Sequence, residues 1–191
     1  YEQTQTLFSE LKNNMQSQEL NLLGHLARTW IYVHDVDHQY PEMVRARNDF
    51  FAINGLTPQT RYIASTGIEG RGQNRGQTVT MDSLFFSNLI YEQLKRLEAL
   101  DYLCPTDRYG VAFERGTSIQ FGDRAHLHIS GTASIDTEGN VCHRGDAVLQ
   151  TKRILKIIPQ LLAQDQATLQ DVFYFLVYLR DVKDCSAVKE T

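Results

Sequence analysis

The chain has 191 residues, of which 42% are hydrophobic and 22% charged, and its formal net charge is -4. These values are ordinary for a globular protein, and the acidic balance gives no electrostatic reason to expect a nucleic-acid or membrane partner. No apolar run approaches the roughly 20 residues that a membrane-spanning helix needs. The three cysteines lack the spacing of a metal site, which favours a reduced, cytoplasmic protein.

Two helical patterns flank the first predicted strand. Leucines at helical spacing predict a helix over residues 7–26, which leads into a strand over residues 28–33. Pro41 suits the first turn of the next helix, because the N–H that proline lacks would be unpaired there in any case. The Asn54-Gly55 pair is typical of the end of that helix.

Strand patterns dominate the middle of the chain. Residues 61–68 and 78–84 predict two strands that pair with each other across a glycine-rich loop. Leucines over residues 88–100 predict a helix that connects the two halves of the chain. Residues 111–120 and 125–135 then predict a hairpin, since a turn sequence separates them.

One face of the returning hairpin strand is polar, because side chains alternate along a strand. This polar row could line a ligand cleft, where hydroxyls and imidazoles make directed hydrogen bonds. It could equally be an exposed face or a polar subunit interface. The row consists of His126, His128, Ser130, Thr132 and Ser134.

A helix and an apolar run make up the last third of the chain. Asp146 is suited to cap a helix whose apolar residues are spaced by three and four. Eight apolar residues then follow one another from Val172 to Leu179, before a charged stop. Their number and their aromatic and branched composition predict a strand that is buried on both faces.

This last predicted strand repeats the first one. Aligned at a constant offset, the two strand regions share three pairs of identical residues. A helical pattern precedes and follows each of the two regions. The pairs are Tyr32 with Tyr178, Asp35 with Asp181 and Val36 with Val182. We interpret the chain as two tandem modules, residues 1–86 and 109–191, with a helical connector over residues 87–108. Each module lacks one end of the pattern, so we expect the natural polypeptide to extend by roughly 30–40 residues on both sides.

Several spaced motifs of the second half resemble the RidA/YjgF family, also labelled L-PSP endoribonuclease. They are SGTASI at residues 130–135, Gly139, Gly145-Asp146, Gln150-Thr151 and VYLRD at residues 177–181. Thr132 stands where the simple deaminases usually have glutamine. Together with RTW at residues 28–30 and STGI at residues 65–68, the SGTASI form looks more like the two-domain chorismatase-like branch.

The resemblance implies an α+β fold of tandem RidA-like (chorismate-mutase-like) modules, each with a mixed β-sheet and helices packed on one face. Such modules form trimers whose sites lie in clefts between subunits. In the deaminases an arginine binds the substrate carboxylate, and a second carboxylate with bound water handles the protons of imine hydrolysis. By position, Arg61 matches that arginine, Asp82 the family glutamate, Tyr109 a tyrosine ahead of the hairpin, and Ser130-Gly131 the backbone that lines the pocket. The equivalent arginine and glutamate of the second module would lie beyond Thr191.

Arg61 and Asp82 also make chemical sense as a pair, because arginine offers a planar fork to a carboxylate and a partly buried acid can be tuned for acid–base catalysis. The alternative is a surface ion pair on adjacent strands, which aspartate in place of glutamate favours. The candidate catalytic residues are Asp82 and Tyr109, and the candidate substrate-binding residues are Arg61, His128, Ser130, Gly131 and Thr132.

Two other polar clusters favour simpler interpretations. His34, Asp35, Asp37 and His38 could ligate a metal, but the repeat has two cations at the matching positions, so a solvated strand end explains them better. The loop of residues 71–76 lacks the Lys-Ser/Thr pair of a phosphate-binding loop and is better explained as a hairpin loop. We therefore expect no metal and no cofactor.

The patterns and the resemblance together favour a small-molecule hydrolase or lyase, similar to an imine deaminase or a chorismatase. Its partner would be a small carboxylate substrate that carries an imine, enamine or enol-ether group. One alternative is a non-catalytic ligand-binding or structural trimer. Another is the endoribonuclease of the family label, which the acidic balance and the lack of a basic, aromatic-rich groove disfavour. We expect a cytoplasmic homo-oligomer with no membrane or nucleic-acid partner.

Overall fold

The computed structural model describes residues 1–106 and 110–191, and it has the expected α+β architecture with two three-stranded sheets. The helices are α1 (Glu2–Gln16), α2 (Leu22–His25), α3 (Val36–Ile53), α4 (Ala147–Ala163) and α5 (Cys185–Lys189). The strands are β1 (Leu26–Val33), β2 (Ala64–Glu69), β3 (Val79–Phe85), β4 (Leu94–Leu97), β5 (Gly116–Gln120) and β6 (Ala125–Ile129). Short 3-10 turns cover Tyr91–Gln93, Leu169–Asp171 and Val182–Asp184. None of the helices in the described ranges is long and apolar enough to cross a membrane.

The first sheet is built around β1, which pairs with β2 in parallel and with β3 in antiparallel. Ile31 and Val33 of β1 are fully buried in a core that α1 and α3 share. In this core Phe8 of α1 stacks on Phe50 of α3, with ring centroids 5.3 Å apart. Because side chains alternate along a strand, the even-numbered residues of β1 from Arg28 onward, after the register shift between Leu26 and Arg28, face away from these helices.

Two expectations for the first module are wrong. β3 pairs with β1 rather than with β2, because the chain crosses over β1 between the two outer strands. Helix α3 begins at Val36 and not at Pro41, since Asp35 adopts a left-handed conformation with φ 57° that turns the chain directly from β1 into the helix. Pro41 consequently lies inside α3, where it removes one backbone donor.

The second sheet is antiparallel, in the order β4-β5-β6. The predicted hairpin is confirmed, although β6 ends at Ile129, earlier than expected. The predicted helix over residues 88–100 is wrong, because a 3-10 turn and β4 occupy this stretch. Leu97 of β4 is fully buried in a cluster with Leu161 of α4, so packing and strand pairing outweigh the helical propensity of the leucines.

The predicted strand over residues 172–179 is also wrong, and we call this stretch the C-terminal apolar segment. It belongs to neither sheet, and Phe173 and Leu176 are 95% and 58% exposed. Within the described ranges no strand pairs with it, and an apolar run is buried in a sheet only where neighbouring strands pair with it. The order of helix, apolar stretch and helix still occurs in both halves, with α4 capped by Asp146 as expected. The two-module boundaries remain a prediction.

Backbone hydrogen bonds join the two sheets at the free edge of β2. A parallel bridge links Ala64 to Glu114, and the Glu114 N–H donates to the Ile63 carbonyl at 3.0 Å. Nearby, the Gly131 N–H donates to the Ser65 carbonyl at 3.1 Å. The stretches that flank β5 and β6 therefore continue the first sheet, and they bring residues of the second half close to β1 and β2.

Candidate functional site

The structure does not bring Arg61 and Asp82 together. Arg61 precedes β2, is only 4% exposed and donates from Nε to the Tyr62 carbonyl at 2.9 Å. Asp82 is exposed on β3, where it pairs with Trp30. Because β1 lies between β2 and β3, the expected ion pair on adjacent strands is wrong. Tyr109, the other candidate catalytic residue, lies outside the described residues.

Arg61 instead faces Glu114, a residue that the sequence analysis did not select. The Arg61 Nη2 lies 3.6 Å from the Glu114 carboxylate, and both side chains are almost fully buried. Glu114 also accepts hydrogen bonds from the Tyr62 N–H and the Thr117 hydroxyl, each at 3.1 Å. Burial raises the pKa of Glu114, and the Arg61 charge opposes that rise. This buried pair links the two halves of the chain.

A second arginine lies on the face of the first sheet that points away from α1 and α3. Arg28, Trp30 and Tyr32 alternate along β1 and share this face. Thr66 of β2 and Asp82 of β3 are both paired with Trp30, so they lie on the same face. Three strands thus present a cation, a carboxylate, a hydroxyl and two aromatic rings side by side.

Arg28 has the features of an anion anchor. It is 5% exposed, its Nη2 donates to the Thr66 hydroxyl at 2.5 Å, and its guanidinium carbon lies 4.8 Å from the Trp30 ring centroid. Burial lowers the pKa of Arg28 to about 10, so the side chain remains a cation at neutral pH. Its buried Nη1 has no hydrogen-bond partner among the described residues. One donor of a buried cation is therefore available to a ligand.

His128 of β6 lies beside Arg28. Burial first, and then the Arg28 charge, lower the pKa of His128 to about 4, so its ring is neutral at neutral pH. Its Nε2 is buried and has no hydrogen-bond partner within the described ranges. The site therefore combines an unpaired cationic donor with an unpaired neutral imidazole nitrogen, which can donate or accept according to its tautomer.

The rest of the polar row does not share this role. The Ser130 hydroxyl is buried, where it accepts from the Ser65 N–H at 3.0 Å and donates to the Glu114 carbonyl. The Thr132 hydroxyl donates to the Ser130 carbonyl at 3.0 Å. Gly131 packs closely on Thr66, since a Cβ at residue 131 would lie 3.2 Å from Thr66 Cγ2. Gly131 thus borders the Arg28 site, whereas the hydroxyl of Ser130 is used in joining the sheets.

Tyrosines surround the other end of the site. Partial burial, followed by Tyr178 and the Asp82 carboxylate, raises the pKa of Tyr32. Tyr178 belongs to the C-terminal apolar segment. Tyr178 and Tyr174 both lie close enough to Arg28 to oppose the lowering of the Arg28 pKa by burial. A protonated phenol next to a carboxylate is suited to donate a proton or a hydrogen bond.

The sequence carried a signal for this site. Within a predicted strand, Arg28, Trp30 and Tyr32 occupy every second position, and a cation at such a position must face solvent, a carboxylate of the protein or a ligand. The sheet order was needed to identify Thr66 and Asp82 as neighbours. The position of His128 depends on the edge contact between the sheets, which no local pattern predicts.

Comparisons with known proteins agree with this architecture. No family model matches the chain. The chain is 33% identical over 64 residues to the 3-aminoacrylate deaminase RutC of Acinetobacter baylyi, a match that covers 34% of this chain and 51% of RutC. The chain thus spans about half the length of this curated relative. A crystal structure of a chorismatase matches with a TM-score of 0.79 and 24% identity, over 98% of this chain and 60% of the chorismatase chain. The chain therefore has the fold of the chorismatase, and its similarity to the deaminase RutC agrees with the RidA-like and chorismatase-like resemblance of its motifs.

Proposed function

We propose that the protein is a small-molecule hydrolase or lyase that binds a small carboxylate at Arg28 and cleaves an imine, enamine or enol-ether group beside it. The observation that carries this proposal is the unpaired Nη1 of the buried Arg28 next to the unpaired Nε2 of His128. A buried donor without a partner costs free energy, so a ligand oxygen that pairs with it is favoured. We therefore assign binding of the substrate carboxylate to Arg28 rather than to Arg61.

The binding step follows from the geometry of the guanidinium. Thr66 and the Trp30 ring hold Arg28 in place, so little side-chain entropy is lost when a carboxylate binds. One carboxylate oxygen would accept from Nη1, and a second polar atom of the ligand would pair with His128. A charge-assisted hydrogen bond in such a site is worth about 1.5–3 kcal/mol.

Tyr32 and Asp82 supply the proton chemistry. In enamine hydrolysis the carbon is protonated, water adds to the resulting iminium carbon, and the C–N bond breaks as ammonia leaves. Tyr32, whose pKa is raised and which is protonated at neutral pH, would donate the first proton, and Asp82 would receive the proton that the attacking water loses and pass it to the departing amino group. As the carbinolamine collapses to the carbonyl, its hydroxyl proton would return to Tyr32. An enol ether would follow the same order, with an alcohol as the leaving group.

The relatives support this choice of chemistry without fixing the substrate. The name of RutC states that it deaminates 3-aminoacrylate, which is an enamine that carries a carboxylate. The structural neighbour is a chorismatase. Since the chain spans only part of each protein, the substrate, the trimeric state and the cytoplasmic location are proposals for this chain.

The test is an activity screen with matched arginine variants. Ammonia release would be measured with 2-aminoacrylate and 3-aminoacrylate, and keto-acid release with an enolpyruvyl ether. We expect Arg28→Met to lower kcat/KM by about 10- to 150-fold, because a charge-assisted contact is lost. The control is Arg45→Met, since Arg45 is exposed and pairs only with Glu42 among the hydrogen-bonded side chains described. Equal activity of the wild type and Arg28→Met would refute the proposal.

A specific observation keeps a second function open. Asp82 is exposed, whereas an acid–base residue generally works in a site from which bulk water is restricted. The protein would then bind a carboxylate without turning it over. Binding of pyruvate but not of neutral pyruvamide, combined with no product from any substrate in the screen, would select this function.

A further inference from the structure

A two-pronged ion pair connects the end of the C-terminal apolar segment to the first module. Arg180 donates to Asp37 from Nη2 at 2.6 Å and from Nη1 at 2.9 Å, and the two residues are 143 positions apart in the chain. The parallel fork is the geometry in which arginine binds a carboxylate with the most directional specificity. Asp37 lies in the first turn of α3, directly after β1.

The ion pair lies next to the residues that contact the Arg28 site. Tyr178 precedes Arg180 by two residues and approaches Tyr32, while Tyr174 and Tyr178 both approach Arg28. The segment forms no strand with either sheet, so side-chain contacts determine its position over β1. Its exposed apolar residues show that it is not held there by burial in a core.

We propose that Arg180 is a positioning residue, which holds Tyr178 against Tyr32 and so completes the ligand site of the first module with a side chain from the second. This inference rests on the proposed carboxylate site. The Arg180–Asp37 fork fixes the end of the segment, and Tyr178, two residues before Arg180, then lies close to both Tyr32 and Arg28.

The exposure of the Arg180 and Asp37 side chains determines how much ligand affinity should be lost when their ion pair is removed. The side chains of Arg180 and Asp37 are 74% and 56% exposed, and an exposed ion pair contributes little by itself. We therefore expect loss of the pair to weaken binding about two- to fivefold rather than to abolish it. Loss of the Arg28 anchor has a much larger effect, so the two roles are separable in one assay.

Trp30 provides the readout, because it is the only tryptophan in the sequence and lies beside Arg28. Acrylamide quenching of Trp30 fluorescence without ligand reports how well the segment covers the site. Titration with pyruvate reports ligand affinity. The variants are Arg180→Gln, Asp37→Asn and the charge swap D37R/R180D, which can restore the pair. The control is Lys183→Gln, because the Lys183–Asp181 pair is equally exposed but lies within one turn of the chain.

We expect both single variants to raise the quenching constant and the pyruvate Kd, the swap to reverse both changes, and Lys183→Gln to change neither. Unchanged quenching in Arg180→Gln would overturn the proposal, because the segment would then be held without the ion pair. Unchanged affinity together with increased quenching would also overturn it, since Tyr178 would not belong to the site. If wild-type protein does not bind pyruvate, the proposed function fails, and the quenching data still decide whether Arg180 holds the segment.

Discussion

Arg28 and Thr66 lie on neighbouring parallel strands, and the Arg28 Nη2 donates a hydrogen bond to the Thr66 hydroxyl at 2.5 Å. This contact decides which way the guanidinium points, because it occupies one side of the fork and leaves Nη1 for a ligand. Thr66 in turn is held by the close approach of Gly131. Gly131, which belongs to the SGTASI motif of the second half, thereby supports Arg28, the proposed anchor in the first half.

The first prediction concerns Thr66→Val, which keeps the side-chain shape and removes the hydroxyl. We expect the pyruvate Kd to rise about tenfold, because the guanidinium loses the bond that orients it. Stability should fall by only about 1 kcal/mol, measured by urea unfolding. Thr66→Ser restores the hydroxyl and should recover most of the affinity. Equal affinity of Thr66→Val and wild type would show that Thr66 does not orient Arg28.

The second prediction concerns the pH dependence of stability. His128 has a pKa of about 4 in the folded protein against 6.5 for a free imidazole, so folding favours its neutral form. A depressed pKa contributes stability that is complete above pH 6.5 and is lost as the pH falls through about 4. Because the His128 ring is partly exposed, we expect its titration to change the free energy of unfolding by only roughly 1–2 kcal/mol.

The measurement for His128 is urea unfolding of wild type and His128→Gln from pH 7.5 down to pH 4. The free energy of unfolding of the wild type should fall more steeply than that of the variant, since glutamine does not titrate. Arg28 and His126 are the charged and titratable neighbours that act on His128, and both remain in the variant. Parallel curves would mean that the ring is not held neutral.

How much of this molecule could be predicted from its sequence depends on the range of the interactions involved. The hairpin of β5 and β6 and the capped helix α4 follow from local patterns, and both were predicted. The pairing of β3 with β1 is a long-range choice that no alternation pattern encodes. The family pattern led to Arg61, whose Nη2 also lacks a hydrogen bond but faces the Glu114 carboxylate of the second half at 3.6 Å, whereas no described carboxylate pairs with Arg28. The apolar run of residues 172–179 has the composition of a buried strand, but among the described residues no strand pairs with it.

The third prediction concerns the charge of the Arg28 anchor. Because its pKa is lowered to about 10, pyruvate affinity should be constant from about pH 7 to pH 9 and should fall as the pH rises through about 10. An anchor whose arginine pKa was not lowered would keep its affinity throughout this range. Isothermal titration from pH 7 to pH 10.5 tests this difference, with circular dichroism as a check that the fold persists.

The last prediction concerns the buried pair of Arg61 and Glu114. Replacing Glu114 by Gln leaves the Arg61 cation buried without its carboxylate, which should cost about 3–5 kcal/mol of stability. The double variant R61M/E114L removes both charges and should be clearly more stable than Glu114→Gln alone, because no uncompensated charge remains. Since neither residue belongs to the Arg28 site, the folded double variant should bind pyruvate with wild-type affinity. Urea unfolding and pyruvate titration measure the two effects separately. A double variant that folds but has lost pyruvate binding would return the anchoring role to Arg61, as the family pattern first suggested.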